Sequence, residues 1–403
     1  MPAVYQEMFY RAKLALKARV FARPQPKPVV FSGANASESL CKMIAQFGLR
    51  NILVVTDKPL LELGIPAATL HTLNSLGVAT VVYDGVLPDP TGQIVDAGIA
   101  ALKESNCDSV LAFGGGSSID AAKVIALGAA NDCSALECMG FQQCKLPTLP
   151  LFAIPTTAGT GSEGTFIAVI SDNETHDKVA VVDPSLIPRA AALDPVLMTG
   201  LPAHITAATG MDALTHAIES YIGNWGSAET RFYGLAATKL IFTYLAQACR
   251  NGDNLEAREA MSQASYYGGL AITNALVGYV HAVSHNLGAR YGVPHGLGNA
   301  IVLPHVLVLM KEAASKSLSE IALHAGLGEQ GESEAVLAQK LIDRVILLNE
   351  EIGIPATTDV LKSEDIEDLT DAILAEGSAY PNPRFLEREE CVELLRTIQG
   401  PSC

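Results

Sequence analysis

Apolar positions fall first in short β-branched runs and later in long helical stripes. Residues 29–31, 51–56, 80–83, 109–113 and 149–154 read as strands, and the stretches 36–47 and 92–105 carry helical spacing between them. This alternation predicts a parallel sheet with helices on its faces. Two further runs, 166–171 and 178–182, predict a hairpin added to that sheet. After Asp194-Pro195 the strand signals vanish and Ala/Leu-rich helical patterns continue to the end. The expected fold is therefore an α/β N-terminal domain with a parallel, Rossmann-like sheet, followed by an all-α helical C-terminal domain. The expected divisions are 1–27 as a helical extension, 28–195 as the α/β domain and 196–403 as the helical domain.

The extension carries Arg11, Lys13, Lys17, Arg19 and Arg23 with Tyr5, Phe9 and Leu14 at roughly helical spacing. It predicts an amphipathic helix packed on the body or on a partner subunit, followed by a stiff Pro-rich linker from Arg23 to Pro28. The run from Glu364 to Asp368 reads as a solvated helix face.

Composition narrows the class. With 403 residues, 49% hydrophobic and 17% charged, the chain has material for two packed cores. A net charge of −16 argues against a nucleic-acid partner, which needs a basic face. No apolar stretch approaches the ~18 residues of a membrane helix, so no membrane partner is expected. Eight cysteines without a CxxC pair read as reduced thiols in a cytoplasm. Cys133, Cys138 and Cys144 cluster in sequence but lack a fourth ligand in spacing.

Candidate chemistry lies in two places. The apolar run 109–113 leads into Gly114-Gly115-Gly116-Ser117-Ser118 and then a helical pattern from Ile119 to Val124. Strand, glycine turn and helix start are the parts of a phosphate cradle, because glycines admit the phosphate and the helix N-terminus supplies N–H groups. The usual G-x-G-x-x-G would need glycine where Ile119 stands, so a ribose-binding carboxylate must come from elsewhere. Asp57, ending the run 51–56, is the candidate; the competing reading is a helix cap before Lys58-Pro59. An aspartate beside the ribose accepts from its 2′-hydroxyl and repels a 2′-phosphate, which favours NAD over NADP. A second turn, Pro155 to Glu163, supplies hydroxyls from Thr156, Thr157, Thr160 and Ser162 at another strand end.

The other place holds six of the nine histidines, between positions 204 and 305. Asp212 and His216 are i and i+4, His281 and His285 repeat that spacing, and His295 follows in Pro294-His295-Gly296. One carboxylate with imidazoles is a mixed O/N shell for a divalent first-row metal, Fe2+ or Zn2+. The plainer reading is a set of buried, satisfied histidines and a capping aspartate.

Four motifs together resemble the iron-containing (group III) alcohol dehydrogenase family over residues 28 to 400. They are Gly114-Gly115-Gly116-Ser117 with Asp120 and Lys123, Pro155 to Thr160 with Glu163, Gly210 to Glu219, and the block from His281 to Pro304. The resemblance implies a dehydroquinate synthase-like fold and metal ligation by Asp212, His216, His281 and His295. It implies that His285 lies close to the nicotinamide but outside the metal shell, as the candidate proton relay. It implies NAD(P) contacts from Asp57, Gly114, Gly115, Gly116, Ser117, Ser118, Asp120, Thr156, Thr157, Thr160 and Lys178. Pro88-Asp89-Pro90 departs from a common family version with Asn between the prolines. The expected partners are a small alcohol or aldehyde and further copies of the chain in a homodimer or larger homo-oligomer. The rival readings are a dehydroquinate synthase-like lyase, a metal-free maleylacetate-type reductase, a three-ligand zinc glycerol dehydrogenase and a non-catalytic NAD- or metal-sensing module.

Overall fold

Apolar runs and strands coincide closely in the first half of the chain. The computed structural model describes residues 3–173 and 178–400. The chain divides into two units: Gln25–Leu201 with Gly252–Gly269, and Met1–Pro24 with Pro202–Asn251 and Leu270–Cys403. After helix α1 (Ala3–Phe21), the α/β unit runs β1 (Val29–Ser32), α2 (Ala36–Gln46), β2 (Asn51–Asp57), α3 (Lys58–Glu62), α4 (Ala67–Ser75), β3 (Ala79–Val86) and α5 (Gly92–Glu104). It continues with β4 (Ser109–Gly114), α6 (Gly116–Asn131), α7 (Ala135–Cys138), β5 (Gly140–Phe141), β6 (Leu151–Pro155), β7 (Ile167–Ser171), β8 (Lys178–Val182) and β9 (Ala190–Leu193).

Six strands form one parallel sheet in the order β1-β9-β6-β4-β2-β3. Alternate residues of the central strands enter two cores. Leu53, Val55, Val110 and Ala112 join Val95, Ile99 and Ile119 from α5 and α6 on one face. Ile52, Val54, Leu111 and Phe113 join Leu40, Ile44 and Leu73 from α2 and α4 on the other. Burial on both faces is why these strands read as continuous apolar runs, each large side chain contributing about 1.5–3 kcal/mol.

Two elements depart from the sequence expectation. The run Ala190-Ala191-Ala192-Leu193 is a strand between β1 and β6; alanine carries little strand signal, and complete burial between its neighbours decides the conformation. The hairpin β7–β8 does not extend the main sheet. It pairs with the short β5 in a separate sheet, order β5-β8-β7, and puts Ala168, Ile170 and Val181 into the core that α6 shares. Helix α6 is apolar on most sides and needs that cover. The tip of the hairpin, 174–177, lies outside the described residues.

The helical unit contains α8 (Ala203–Ile222), α9 (Ala228–Arg250), the end of α10 (Leu255–Ala275), α11 (Tyr279–Tyr291), α12 (His295–Met310), α13 (Ser315–His324), α14 (Glu334–Glu351), α15 (Ile366–Gly377) and α16 (Arg388–Ile398). Helix α8 is its axis, buried at every position from 210 to 222. Helix α1 packs on this same unit: Arg11 donates to the Pro383 carbonyl, the Tyr10 ring meets Phe385, and Asn274 donates to the Phe21 carbonyl. The acidic run is not wholly solvated, since Asp365 is buried and accepts from Tyr291 Oη at 2.6 Å and from Arg290. Among the described residues, no helix is long and apolar enough to cross a membrane.

Candidate active site

An axial helix buried on all sides must satisfy its polar side chains within the fold, and α8 carries Asp212, His216 and Glu219 at i, i+4 and i+7. Around Asp212 Oδ1 stand three imidazole nitrogens: His216 Nε2 at 3.7 Å, His281 Nε2 at 3.7 Å and His295 Nε2 at 3.3 Å. Ligating atoms of Asp212, His216 and His281 lie within 4.8 Å of one another. The rings of His216 and His281 stack at 4.8 Å. His281 comes from α11 and His295 is the first residue of α12, so three helices deliver the cluster.

Two further residues, to which the sequence assigned no role, shape this cluster. Glu219 Oε2 receives His281 Nδ1 at 2.7 Å and the Gly278 N–H at 2.8 Å, while Oε1 receives the Val280 N–H at 2.7 Å. The carboxylate thus sits on the N-terminus of α11 and turns His281 so that Nε2 faces Asp212. A Cβ on Gly278 would meet Glu219 Oε1 at 2.8 Å and Asn382 Oδ1 at 2.7 Å, so any larger residue there must displace one of these side chains. Asn299 donates from Nδ2 to Asp212 Oδ1 at 2.7 Å, with His295 Nε2 at 3.2 Å and His281 Nε2 at 3.3 Å from the same nitrogen. Glu219 at i+7 from Asp212 and Asn299 at i+4 from His295 are the helical spacings that could have marked them.

The electrostatics follow from burial and proximity. Burial opposes charge on Asp212, but His216, His295 and His281 together hold it well below the usual carboxylate range. Burial, with His216 and His295 beside it, keeps His281 well below the ordinary imidazole value. Burial also pushes Glu219 up to about 8 against its N–H donors. Three imidazole nitrogens around one carboxylate oxygen form a donor set for a divalent cation. The His216 Nδ1 and Asn299 Oδ1 atoms are buried without a hydrogen-bond partner, so this cluster is not the fully satisfied set of a structural core.

His285 stands apart from the Asp212 oxygen. Its ring stacks on His295 at 5.1 Å, and its Nδ1 pairs with Glu376 Oε1 at 2.7 Å. Tyr380 Oη donates to the same oxygen at 2.8 Å, and Asn286 Nδ2 donates to Glu376 Oε2 at 2.9 Å. No local sequence pattern links 285 to 376; α11 and α15 bring them together.

In the α/β unit, Asp57, Gly114–Gly116 and Pro155–Thr160 lie at the carboxyl ends of β2, β4 and β6, which are neighbours in the sheet. Chain connections leave β2 and β4 toward opposite sheet edges, which makes the space above them the topological switch point where such sheets bind ligands. Gly114 and Gly116 are sterically imposed. A Cβ on Gly114 would meet Ser118 Oγ at 2.5 Å, and one on Gly116 would meet Thr160 Cγ2 at 2.4 Å. Gly115 is the N-cap of α6, so the turn presents a helix start to whatever sits above it. Asp57 does cap a helix: Oδ1 accepts from the Leu60 N–H at 2.9 Å.

The remaining residues of the group are more internal. Thr156 is buried and its N–H donates to the Gly114 carbonyl at 3.0 Å, locking the two turns together. Thr157 is half-buried, Thr160 Oγ1 accepts from the Ser162 N–H, and Ser118 is buried, with Ser117 half-buried beside it. Asp120 lies beneath the turn with Oδ1 on Ser162 Oγ at 2.5 Å and Oδ2 on the Val169 N–H at 2.9 Å. Lys178 pairs with Asp89 at 2.9 Å, so the departing residue of Pro88-Asp89-Pro90 is its partner.

Two family models match successive parts of the chain, one described as iron-containing alcohol dehydrogenase over residues 26–195 and the other as that family's C-terminal part over 206–399. The chain is also 36% identical over 371 residues to the NAD-dependent methanol dehydrogenase of Bacillus methanolicus, covering 92% of this chain and 97% of that protein. The chain belongs to the iron-containing alcohol dehydrogenase family. To 1,3-propanediol dehydrogenase of Klebsiella pneumoniae it is 37% identical, over 91% of this chain and 96% of the relative. The alcohol dehydrogenase structure from Oenococcus oeni superposes with a TM-score of 0.90 at 35% identity, covering 94% of this chain and all of that one. This iron-containing alcohol dehydrogenase is accordingly an oxidoreductase with an Asp/His cluster suited to a metal ion.

Proposed function

We propose that the chain interconverts a small primary alcohol and its aldehyde with NAD(H), using Asp212, His216, His281 and His295 as ligands of iron. The observation that carries this reading is the convergence of three Nε2 atoms on one buried aspartate oxygen. When bound, iron supplies Lewis acidity toward the alcohol oxygen and NAD accepts the hydride. Glu219 holds His281 with Nε2 inward. Glu376, braced by Tyr380 and Asn286, orients His285, which is assigned the proton relay to and from the substrate oxygen. The turn Gly114–Ser118, with Asp120 beneath it and Thr156, Thr157 and Thr160 beside it, is assigned the pyrophosphate, and Lys178 a further cofactor contact. Residues 28–195 then form the NAD-binding domain and 196–403 the metal and substrate domain. A cytoplasmic homo-oligomer is the setting proposed for it.

A lyase acting on an anionic substrate would need free cations near the metal cluster. In the helical unit Arg290 pairs with Asp365, Arg231 with Glu320, and Arg250 donates to the Ala246 carbonyl. These three guanidiniums are engaged with groups other than the Asp212 cluster, which supports a neutral substrate. A screen of short- and medium-chain alcohols with both cofactors tests the reading: NADH forms with at least one primary alcohol, and silence across the series with iron bound sinks it.

Glu219→Gln keeps the shape but leaves one acceptor oxygen where two receive the His281 Nδ1, Gly278 N–H and Val280 N–H groups, so the brace on His281 is weakened. Iron should bind roughly 10–100-fold more weakly, as for other residues that orient metal-bound histidines. Iron titration of the variant and the parent, followed by bound-metal analysis, reads this directly; equal affinity would leave Glu219 with no part in metal binding.

Asp57 has two separable jobs, and Asp57→Ser separates them. Serine retains an N-cap for α3, so melting should move little. Loss of the charge should lower KM for NADP by about tenfold or more, the equivalent of ~1.4 kcal/mol of lost repulsion. Unchanged NADP use in a normally melting variant would leave Asp57 as a cap alone.

A further inference from the structure

A second donor cluster lies in the α/β unit, where the sequence shows only three cysteines without a fourth partner. Cys133 Sγ is 3.0 Å from Cys138 Sγ and 3.7 Å from Cys144 Sγ, and Cys138 and Cys144 are 3.6 Å apart. All three are free thiols; Cys138 is buried, and Cys133 and Cys144 are half-buried. Their ligating atoms converge closely enough to share one ion.

The backbone around them is fixed by bonds that involve no sulfur. Helix α6 ends at Asp132 in a left-handed conformation, and the Cys133 N–H returns to the Gly128 carbonyl at 3.1 Å. Ser134 and Glu137 form a capping box on α7, which puts Cys138 at the end of that helix. The loop carrying Cys144 is tied to α6 by Asn131, whose Oδ1 accepts from the Lys145 and Leu146 N–H groups and whose Nδ2 donates to the Leu146 carbonyl. Three thiols thus face one point from three separately anchored pieces of chain.

The separations fit a cation better than a disulfide. A tetrahedral ion with metal–sulfur bonds of ~2.3 Å holds its sulfurs about 3.8 Å apart, close to two of the three distances. A disulfide needs about 2.05 Å and leaves the third sulfur unused. Burial pushes the Cys144 thiol up to about 11 and Cys138 higher still, so without a cation these groups stay protonated and poorly reactive. An all-sulfur donor set is also chemically unlike the O/N set around Asp212. Thiolates select soft d10 ions, whereas carboxylate and imidazole accept iron.

We propose that Cys133, Cys138 and Cys144 form a second metal site, a thiolate site for zinc or a similarly soft d10 cation, that clamps the segment from α6 to β6. Binding of Zn2+ releases the three thiol protons and forms three metal–sulfur bonds, with no change of oxidation state. Water completes the fourth position on the half-exposed side. Affinity therefore rises with pH as proton release becomes easier. The site is independent of turnover at the Asp212 cluster.

The test uses the full chain, reduced and stripped of metal, beside Cys133→Ser and Cys144→Ser. After equilibration with Zn2+ and desalting, the parent should retain one more zinc per chain than either variant. With Cd2+, the parent should show a thiolate-to-cadmium charge-transfer band that both variants lose, while iron-supported alcohol oxidation is unchanged. Should a variant fail to fold, thiol labelling of the parent decides: zinc should protect Cys133 and Cys144. Equal zinc content in all three proteins without a cadmium band, or labelling unaffected by zinc, means a packed thiol cluster only and overturns the proposal.

Discussion

Asp212→Ala should leave a folded protein that retains no iron after desalting and oxidises alcohol at least about 1,000-fold more slowly, a barrier increase of ~4 kcal/mol. Asp212 Oδ1 is the atom that all three Nε2 groups surround, so its removal takes away both the anionic ligand and the centre of the cluster. It also strips Asn299 Nδ2 of its 2.7 Å acceptor. Three imidazoles would remain, and they bind a divalent cation less tightly without the carboxylate. Metal analysis of the desalted variant, with steady-state NADH formation in excess iron, gives both numbers. Full metal content with normal turnover would show that Asp212 is a buried cap and nothing more.

Lys123→Met should cost about 3–5 kcal/mol of stability, the range for leaving buried charge partners uncompensated. Lys123 is fully buried, and its Nζ donates to Ser162 Oγ, Thr165 Oγ1, the Thr165 carbonyl and the Ile167 carbonyl at 2.7–2.9 Å. It also lies beside the buried carboxyls of Asp120 and Glu163, both of which favour the charged ammonium. Methionine fills the same length but donates nothing, leaving four acceptors short of a partner. Burial already pushes Glu163 up to about 7, so its protonation can relieve part of the loss and keeps the figure below the sum of its pieces. The urea midpoint should fall with the slope unchanged. A midpoint equal to the parent's would mean that the ammonium is not what ties the hairpin and the Thr-rich turn to α6.

Much of the fold and the site is legible in the chain because the relevant signals are local. Strands β2, β4 and β6, buried on both faces, are continuous apolar runs, and the partly exposed edge strands β1 and β3 show as short β-branched runs; the glycine turn can be read because a Cβ there collides with Ser118 or Thr160. The i,i+4 spacing of Asp212 with His216 places two site residues on one helix face without reference to any tertiary contact. What is not legible depends on long-range packing. Strand β9 is made largely of alanines and is a strand only because β1 and β6 flank it. The hairpin turns to α6 because that helix needs apolar cover, which no pattern within 166–182 records. Glu376 meets His285 across 91 residues of sequence. The three clustered cysteines read as reduced thiols lacking a fourth ligand, since their shared point is created by the fold of α6, α7 and the following loop.

Part of α10 is hidden in the same way. Residues 252–269 belong with the α/β unit, and the reason is a close backbone approach. A Cβ on Gly269 would meet the Gly161 carbonyl oxygen at 2.1 Å, and Gly161 itself has φ of +59°. A glycine pair in two distant segments fixes the end of the Thr-rich turn, and neither glycine announces its partner.

The most direct measurement is an anaerobic titration of the metal-stripped full chain with Fe2+, following NADH formation from NAD and a primary alcohol. The rate should rise in proportion to iron bound at the Asp212 cluster, saturate when that cluster is filled and return to baseline on chelation. Undiminished NADH formation by the metal-free chain, or none with iron bound there and alcohol in excess, would contradict a metal-dependent dehydrogenase built on Asp212.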